Sequence, residues 1–288
     1  MPFLDTRDGT SLFYRDWGTG RPVLFCSAWG LSSTEFQYQM GPLVDSGLRT
    51  IAFDRRSHGR SDDPGRGYDY NTLADDLAAV LDHLDLHDVM LVGHSMGCGE
   101  IVRYLTRHGS ARVDRIVLIG AVLPLMLAGP NNPAGLPGVA VEEVRASWRR
   151  DFGVWLSENA GAYFGDGLPG CAVSQPVRDW TLHPMIDVPL RALIECNRTV
   201  VETDFRAELP AITVPALIIH GDHDASVPVE ISGHPLVDLL PHGELVIYEN
   251  GPHGLYLTHS ARLTSDLLAF ATAESAGVGP ETRSVRSA

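Results

Sequence analysis

Gly93-His94-Ser95-Met96-Gly97 lies between an apolar run, Val89 to Val92, and a stretch in which Ile101, Val102 and Leu105 have helical spacing. A serine on so tight a strand-to-helix turn is held with its hydroxyl above the sheet edge, where it can act as a nucleophile. The residues two before and two after it must be small, or their side chains would meet the adjoining strand and helix. A serine hydroxyl attacks well only when a base takes its proton. Imidazole changes charge near neutral pH and suits that task. A carboxylate behind the imidazole fixes its tautomer and stabilises the charged form.

The same turn predicts the chain order serine, acid, histidine, with the last two at later strand ends. Ala216 to Ile219 reads as such a strand and leads into Gly221-Asp222-His223-Asp224; Leu245 to Tyr248 leads into Gly251-Pro252-His253-Gly254. The expected catalytic set is Ser95, Asp224 and His253. Asp222 competes for the acid role. It follows Gly221 directly and can close a turn on its own backbone, so it is read as structural. His94 and His223 are expected to point away from the site, and His220 to end a strand in the core. The other histidines read as surface or satisfied residues, and none falls in a metal pattern such as HExxH.

Acyl transfer also needs two backbone N–H groups aimed at the developing oxyanion. One is expected from Met96, directly after the nucleophile. The other is expected from the loop Cys26-Ser27-Ala28-Trp29-Gly30, with Trp29 as donor. The Trp29 ring, Leu123, Leu125, Val227 and Leu255 are the expected walls of a substrate pocket.

The elements that must position these groups alternate. Gly9-Thr10 separates two short runs of an opening hairpin. Strands are expected at Val23 to Cys26, Thr50 to Phe53, Val89 to Val92 and Arg115 to Ile119. Ser32 and Ser33 are expected to cap a helix running to Val44, and Asn71 or Thr72 to start another. The polar turn from Asp54 to Asp63 is expected at the surface. This rhythm gives an α/β fold, a mostly parallel sheet flanked by helices. It breaks after Gly120. Residues 121–210 hold nine prolines separating amphipathic pieces and read as an inserted helical cap. The core is then 1–120 with 211–273, ending in a helix over about 262–273. The tail, 274–288, reads as disordered.

Composition narrows the function classes. The chain has 288 residues and a formal net charge of −14. Such a surface repels phosphate backbones and anionic membranes, so neither nucleic acid nor membrane is an expected partner. No apolar run approaches the roughly 20 residues of a membrane helix. Four cysteines without CxxC spacing, and no leader-like start, point to reduced thiols in a cytoplasm. The expected partner is a small-molecule substrate, no metal or organic cofactor is expected, and self-association into a homo-oligomer is left open.

With these residues assembled, the chain resembles the cofactor-free bacterial haloperoxidase, perhydrolase and arylesterase group of α/β-hydrolases. The matching stretches include Asp5 to Thr10, Asp16-Trp17-Gly18, Phe53 to Arg56 with Gly59 to Asp62, Leu91 to Gly97, Arg107-His108-Gly109, Glu202 to Arg206, His220 to Asp222 with Asp224, and Pro252-His253-Gly254. The resemblance implies the α/β-hydrolase fold with a helical cap over a buried site, a serine esterase or lactonase reaction, and Trp29 with Met96 as oxyanion donors. The chain departs from the group at Ser27-Ala28, where His-Gly is usual, and at Gly30, where a proline accompanies perhydrolysis. Hydrolysis is therefore the expected reaction. Amide or lactam cleavage and perhydrolysis would use the same triad, and a binding or accessory protein without turnover is the alternative of a different class.

Overall fold

The computed structural model describes residues 2–273 and 284–287. The chain opens with β1 (Phe3–Asp5), β2 (Ser11–Trp17), β3 (Pro22–Cys26), α1 (Gln37–Asp45) and β4 (Arg49–Phe53). Next come α2 (Tyr70–His83), β5 (Val89–His94), α3 (Met96–His108) and β6 (Val113–Ile119). Three helices then follow without a strand of the sheet between them: α4 (Gly138–Phe164), α5 (Gln175–Ile186) and α6 (Leu190–Glu202). The sheet resumes with β7 (Ala216–Gly221), α7 (Gly233–Leu239), β8 (Gly243–Tyr248), α8 (Leu255–Thr258), α9 (Ser260–Thr272) and β9 (Ser284–Ser287).

The strands form one sheet in the order β1-β2-β4-β3-β5-β6-β7-β8-β9. The pairs β1–β2 and β2–β4 are antiparallel, and all the others are parallel. Side chains alternate across it. Leu24, Leu91, Ile116 and Ile218 pack on one face with α2 and α3, while Phe25, Val92, Val117 and Ile219 pack on the other with α1 and α9. Both faces are covered, which is why these strands read as continuous apolar runs. After β3 the chain steps outward to β4, then returns to the other side of β3 as β5. Ligands in open α/β sheets bind beyond the carboxyl ends of strands at such a reversal, and here those ends carry the 26–30 loop and Ser95.

Several local expectations are corrected. Ser32 and Ser33 do not cap α1: Ser33 donates its N–H to Asp54 Oδ1 at 2.7 Å, and the helix starts at Gln37 with no side-chain cap. A long-range carboxylate outcompetes the local capping bond. For α2 the cap is Asp69, whose Oδ1 accepts the N–H groups of Asn71 and Thr72, both at 3.1 Å. Asp69→Ala is expected to lower stability by about 1 kcal/mol, read as a shift in urea midpoint with unchanged slope.

The Asp54–Asp63 turn is not wholly at the surface. Asp54, Arg55, Arg56, Ser57 and His58 are all buried. Arg55 pairs with Glu100 through a short contact, and Arg56 Nη2 with Asp76 Oδ1 at 2.6 Å. Paired charges can be buried where single ones cannot, and both partners are distant in sequence. His58 donates from Nδ1 to the Arg56 carbonyl at 2.9 Å. Burial, with Arg55 beside it, pulls its pKa down to about 3, so the ring is neutral.

The tail also departs from expectation in part. Residues 284–287 form β9 and pair in parallel with β8, whose outer edge would otherwise stand unpaired. Residues 274–283 and 288 lie outside the described residues. Among the described residues no helix is long and apolar enough to cross a membrane.

Candidate active site

β5 delivers Ser95 at its carboxyl end, and α3 begins at the next residue. Ser95 has φ 53° and ψ −112°, a conformation an L-residue adopts only when its surroundings hold it. Its N–H is tied to the Ile119 carbonyl of β6 at 2.9 Å. The flanking glycines are required by contact. A Cβ on Gly97 would lie 2.2 Å from the Cys26 carbonyl oxygen, and one on Gly93 would lie 2.8 Å from the Cys98 nitrogen.

β7 ends at Gly221 and hands the chain to Asp224. The Asp224 side chain is closed off from solvent. Its Oδ1 accepts the N–H groups of Ser226 at 2.9 Å and Val227 at 2.8 Å, and its Oδ2 accepts from His253 Nδ1 at 2.7 Å. Burial opposes ionisation of Asp224. His253, with His220 and the Val227 N–H, outweighs it and holds the carboxyl below its ordinary pKa. His220, buried in β7, donates from Nε2 to the Val227 carbonyl at 2.8 Å and braces the loop from behind. Asp222 is exposed and pairs with His223 Nδ1 at 2.8 Å. The structure therefore brings Asp224, and not Asp222, to His253.

His253 sits on the loop after β8. With Nδ1 committed to Asp224, its Nε2 is left to meet a substrate or the serine. The loop is gripped from α4: the Gly254 N–H donates to the Tyr163 carbonyl at 2.8 Å, and the Tyr163 hydroxyl donates to the Tyr256 hydroxyl at 3.3 Å. His94 does not turn away as expected. Its ring centroid lies 4.7 Å from that of His253, its Nδ1 meets Glu35 in a short contact, and its Nε2 donates to the His253 carbonyl at 3.1 Å.

Ser95, His253, Trp29 and Val227 line one cavity of about 390 Å³. Neither Trp29 N–H nor Met96 N–H has an acceptor among the described residues. Both are thus available to a ligand oxygen, and Met96 opens α3, whose N-terminal dipole favours negative charge there. Leu123, Leu125 and Leu255 are not cavity walls. Leu123 and Leu255 are fully buried in the core, and the neighbours Val122 and Met126 line the cavity instead. Which of several adjacent apolar residues faces inward depends on backbone direction, which composition does not reveal.

Sequence reasoning missed the aromatic wall. Trp148 stacks on Trp29 with centroids 4.7 Å apart, and Trp155 meets Trp148 edge-on at 5.1 Å. Both are on α4, on either side of Asp151, whose non-helical backbone bends the helix, so helical spacing in the sequence did not announce them. It also missed the buried groups behind the 26–30 loop, Glu35, Arg55 and Glu100, which had no local signature.

Residues 21–260 match the family model described as alpha/beta hydrolase fold. A non-heme haloperoxidase of Rhodococcus erythropolis is 43% identical over 274 residues, covering 94% of this chain and 99% of that one. A bifunctional esterase/perhydrolase of Acinetobacter calcoaceticus is 38% identical, with the same coverage of 94% and 99%. Among solved structures, an esterase from Exiguobacterium antarcticum superposes with a TM-score of 0.89 at 30% identity, covering 94% of this chain and 99% of its own.

Proposed function

The chain belongs to the α/β-hydrolase fold family, alongside its non-heme haloperoxidase and esterase/perhydrolase relatives, and from that premise we propose that it hydrolyses small carboxylic esters or lactones through an acyl-enzyme on Ser95. The observation that carries this reading is the 2.7 Å bond from His253 Nδ1 to the buried Asp224, with Ser95 and His253 lining the same cavity.

In this reading Ser95 Oγ attacks the ester carbonyl as its proton passes to His253 Nε2. The carbonyl oxygen becomes an oxyanion, bound by the N–H groups of Trp29 and Met96. The C–O bond to the leaving group breaks, and His253 gives its proton to the departing alkoxide. Water then adds to the acyl-enzyme, giving its proton to His253, and the acid departs as Ser95 recovers its hydrogen. Asp224 keeps the Nδ1–H tautomer in place throughout. Residues 121–210 act as the cap. The tryptophan and leucine walls favour an apolar acyl or alcohol portion, and the acidic surface and four unpaired, buried cysteines suit a cytoplasmic setting.

Perhydrolysis is the second reading, favoured by the esterase/perhydrolase relative. Hydrogen peroxide would replace water in the second step and release a peracid. Gly30 argues for water as the usual acceptor. It has φ 74°, which proline cannot adopt, and a Cβ there would lie 2.6 Å from Met185 Cε. The loop is therefore shaped differently from one carrying proline. A panel of esters, lactones, a lactam and peroxide, run with wild type and Ser95→Ala, tests both readings. Serine-dependent turnover of esters or lactones supports the first. Turnover unchanged by Ser95→Ala, with no fluorophosphonate adduct on Ser95, sinks both.

A further inference from the structure

The Trp29 N–H owes its direction to buried groups that take no part in the steps above. Ala28 and Trp29 share a trans peptide plane, in which carbonyl and N–H point to opposite sides. The Ala28 carbonyl accepts from Arg55 Nη1 at 3.2 Å and from the Leu31 N–H at 3.2 Å. The Ser27 carbonyl accepts from Arg55 Nη2 at 2.6 Å. On the other side, Glu35 Oε2 accepts the Ala28 N–H at 2.8 Å. Three consecutive backbone polar groups are thus fixed by two charged side chains. The next one along the chain, the Trp29 N–H, is left without a partner among the described residues and lies on the side opposite Arg55.

Both clamps are anchored. Arg55 is held through Nε by Glu100 of α3, the helix that begins beside the nucleophile; each is about 1% exposed. Glu35 is held by His94, which precedes the nucleophile and donates to the His253 carbonyl. One network therefore reaches the 26–30 loop, the Ser95 turn and the His253 loop. A buried ion pair contributes little to stability compared with apolar residues of similar size, so stability alone is a weak account of Arg55 and Glu100. A cation on the Ala28 carbonyl also polarises the shared peptide, which makes the Trp29 N–H a stronger donor.

We propose that Arg55, with Glu35 on the opposite side of the loop, is a positioning residue that presents the Trp29 N–H to the oxyanion formed at Ser95. The inference rests on the Ser95 acyl-enzyme reading.

Four proteins test it as full chains: wild type, Arg55→Met/Glu100→Leu, Glu35→Ala and Glu35→Gln. The double variant leaves no lone buried charge. The readouts are kcat and KM on p-nitrophenyl butyrate, and the affinities of a trifluoromethyl ketone and of the matching secondary alcohol. The ketone adds to the serine and carries an oxyanion; the alcohol does not. The double variant and Glu35→Ala are expected to lose about 10²-fold in kcat, with KM held within about threefold. Ketone affinity falls in parallel while alcohol affinity is unchanged. Glu35→Gln keeps an oxygen for the Ala28 N–H and recovers most of the rate.

A folded double variant with near wild-type kcat overturns the proposal. So does equal loss of ketone and alcohol affinity, or Glu35→Gln being no better than Glu35→Ala. Should the double variant fail to fold, the Glu35 pair decides alone by the same criteria. A wild type that neither cleaves the ester nor binds the ketone overturns the Ser95 reading itself, a distinct result.

Discussion

Ser95→Ala is expected to lower kcat for ester hydrolysis by about 10⁶-fold while leaving KM nearly unchanged. In the proposed mechanism the nucleophile, the base and the oxyanion donors act as one unit, so the expected loss is not additive. His253→Ala should cost about as much, and Ser95→Ala/His253→Ala little more than either. Initial rates on p-nitrophenyl butyrate check this, with far-ultraviolet circular dichroism confirming the fold. The Ser95 backbone is held by the Ile119 carbonyl and by the two glycines, and alanine fits that turn as serine does, so stability should change little. A variant retaining a tenth or more of the wild-type rate would assign the nucleophile elsewhere.

Asp224→Asn is expected to lower kcat by about 10⁴-fold, because an amide that donates to His253 Nδ1 stabilises the wrong tautomer. Asp222→Asn should stay within about threefold of wild type, since Asp222 is exposed and paired with His223. The contrast between the two aspartates is the measurement. Asp224 also has a pH signature in stability. Its folded pKa lies below its unfolded value because His253, with His220 and the Val227 N–H group, outweighs burial. Its stabilisation is therefore fully present above the ordinary aspartate range and is lost as pH falls through the folded value. The difference in Tm between wild type and Asp224→Asn should shrink on acidification, and a difference that grows would contradict the assignment.

The parts of this site that could be read along the chain are those fixed by short-range geometry. The 89–108 strand, turn and helix are specified within about twenty residues: apolar run, two obligatory glycines, helical spacing. The turn chemistry expected of Asp222 belongs to Asp224 instead: Asp224 accepts the Ser226 and Val227 N–H groups, while Asp222 pairs with His223 and, among the described residues, closes no turn on its own backbone. What could not be read depends on pairing across the sheet. Arg55 looks like surface charge until Glu100, 45 residues later, is brought against it. Ser33 looks like a cap until Asp54 claims its N–H. Leu123 and Leu255 have the right chemistry for a pocket but turn into the core, and the aromatic wall comes from α4, a helix whose bend at Asp151 is not announced by proline. The second half of α4 is restarted by Asp151 itself, which accepts the Val154 N–H at 2.9 Å.

The bond from the Gly254 N–H to the Tyr163 carbonyl bears on how such proteins can be recombined. A chimera that imports a foreign helical segment in place of α4 must bring a main-chain oxygen to the same spot. This acceptor is not negotiable, because without it the loop carrying His253 loses its strut. Shuffling for altered substrate range is best confined to the first half of α4, upstream of Asp151, with the Tyr163 end kept as a fixed junction.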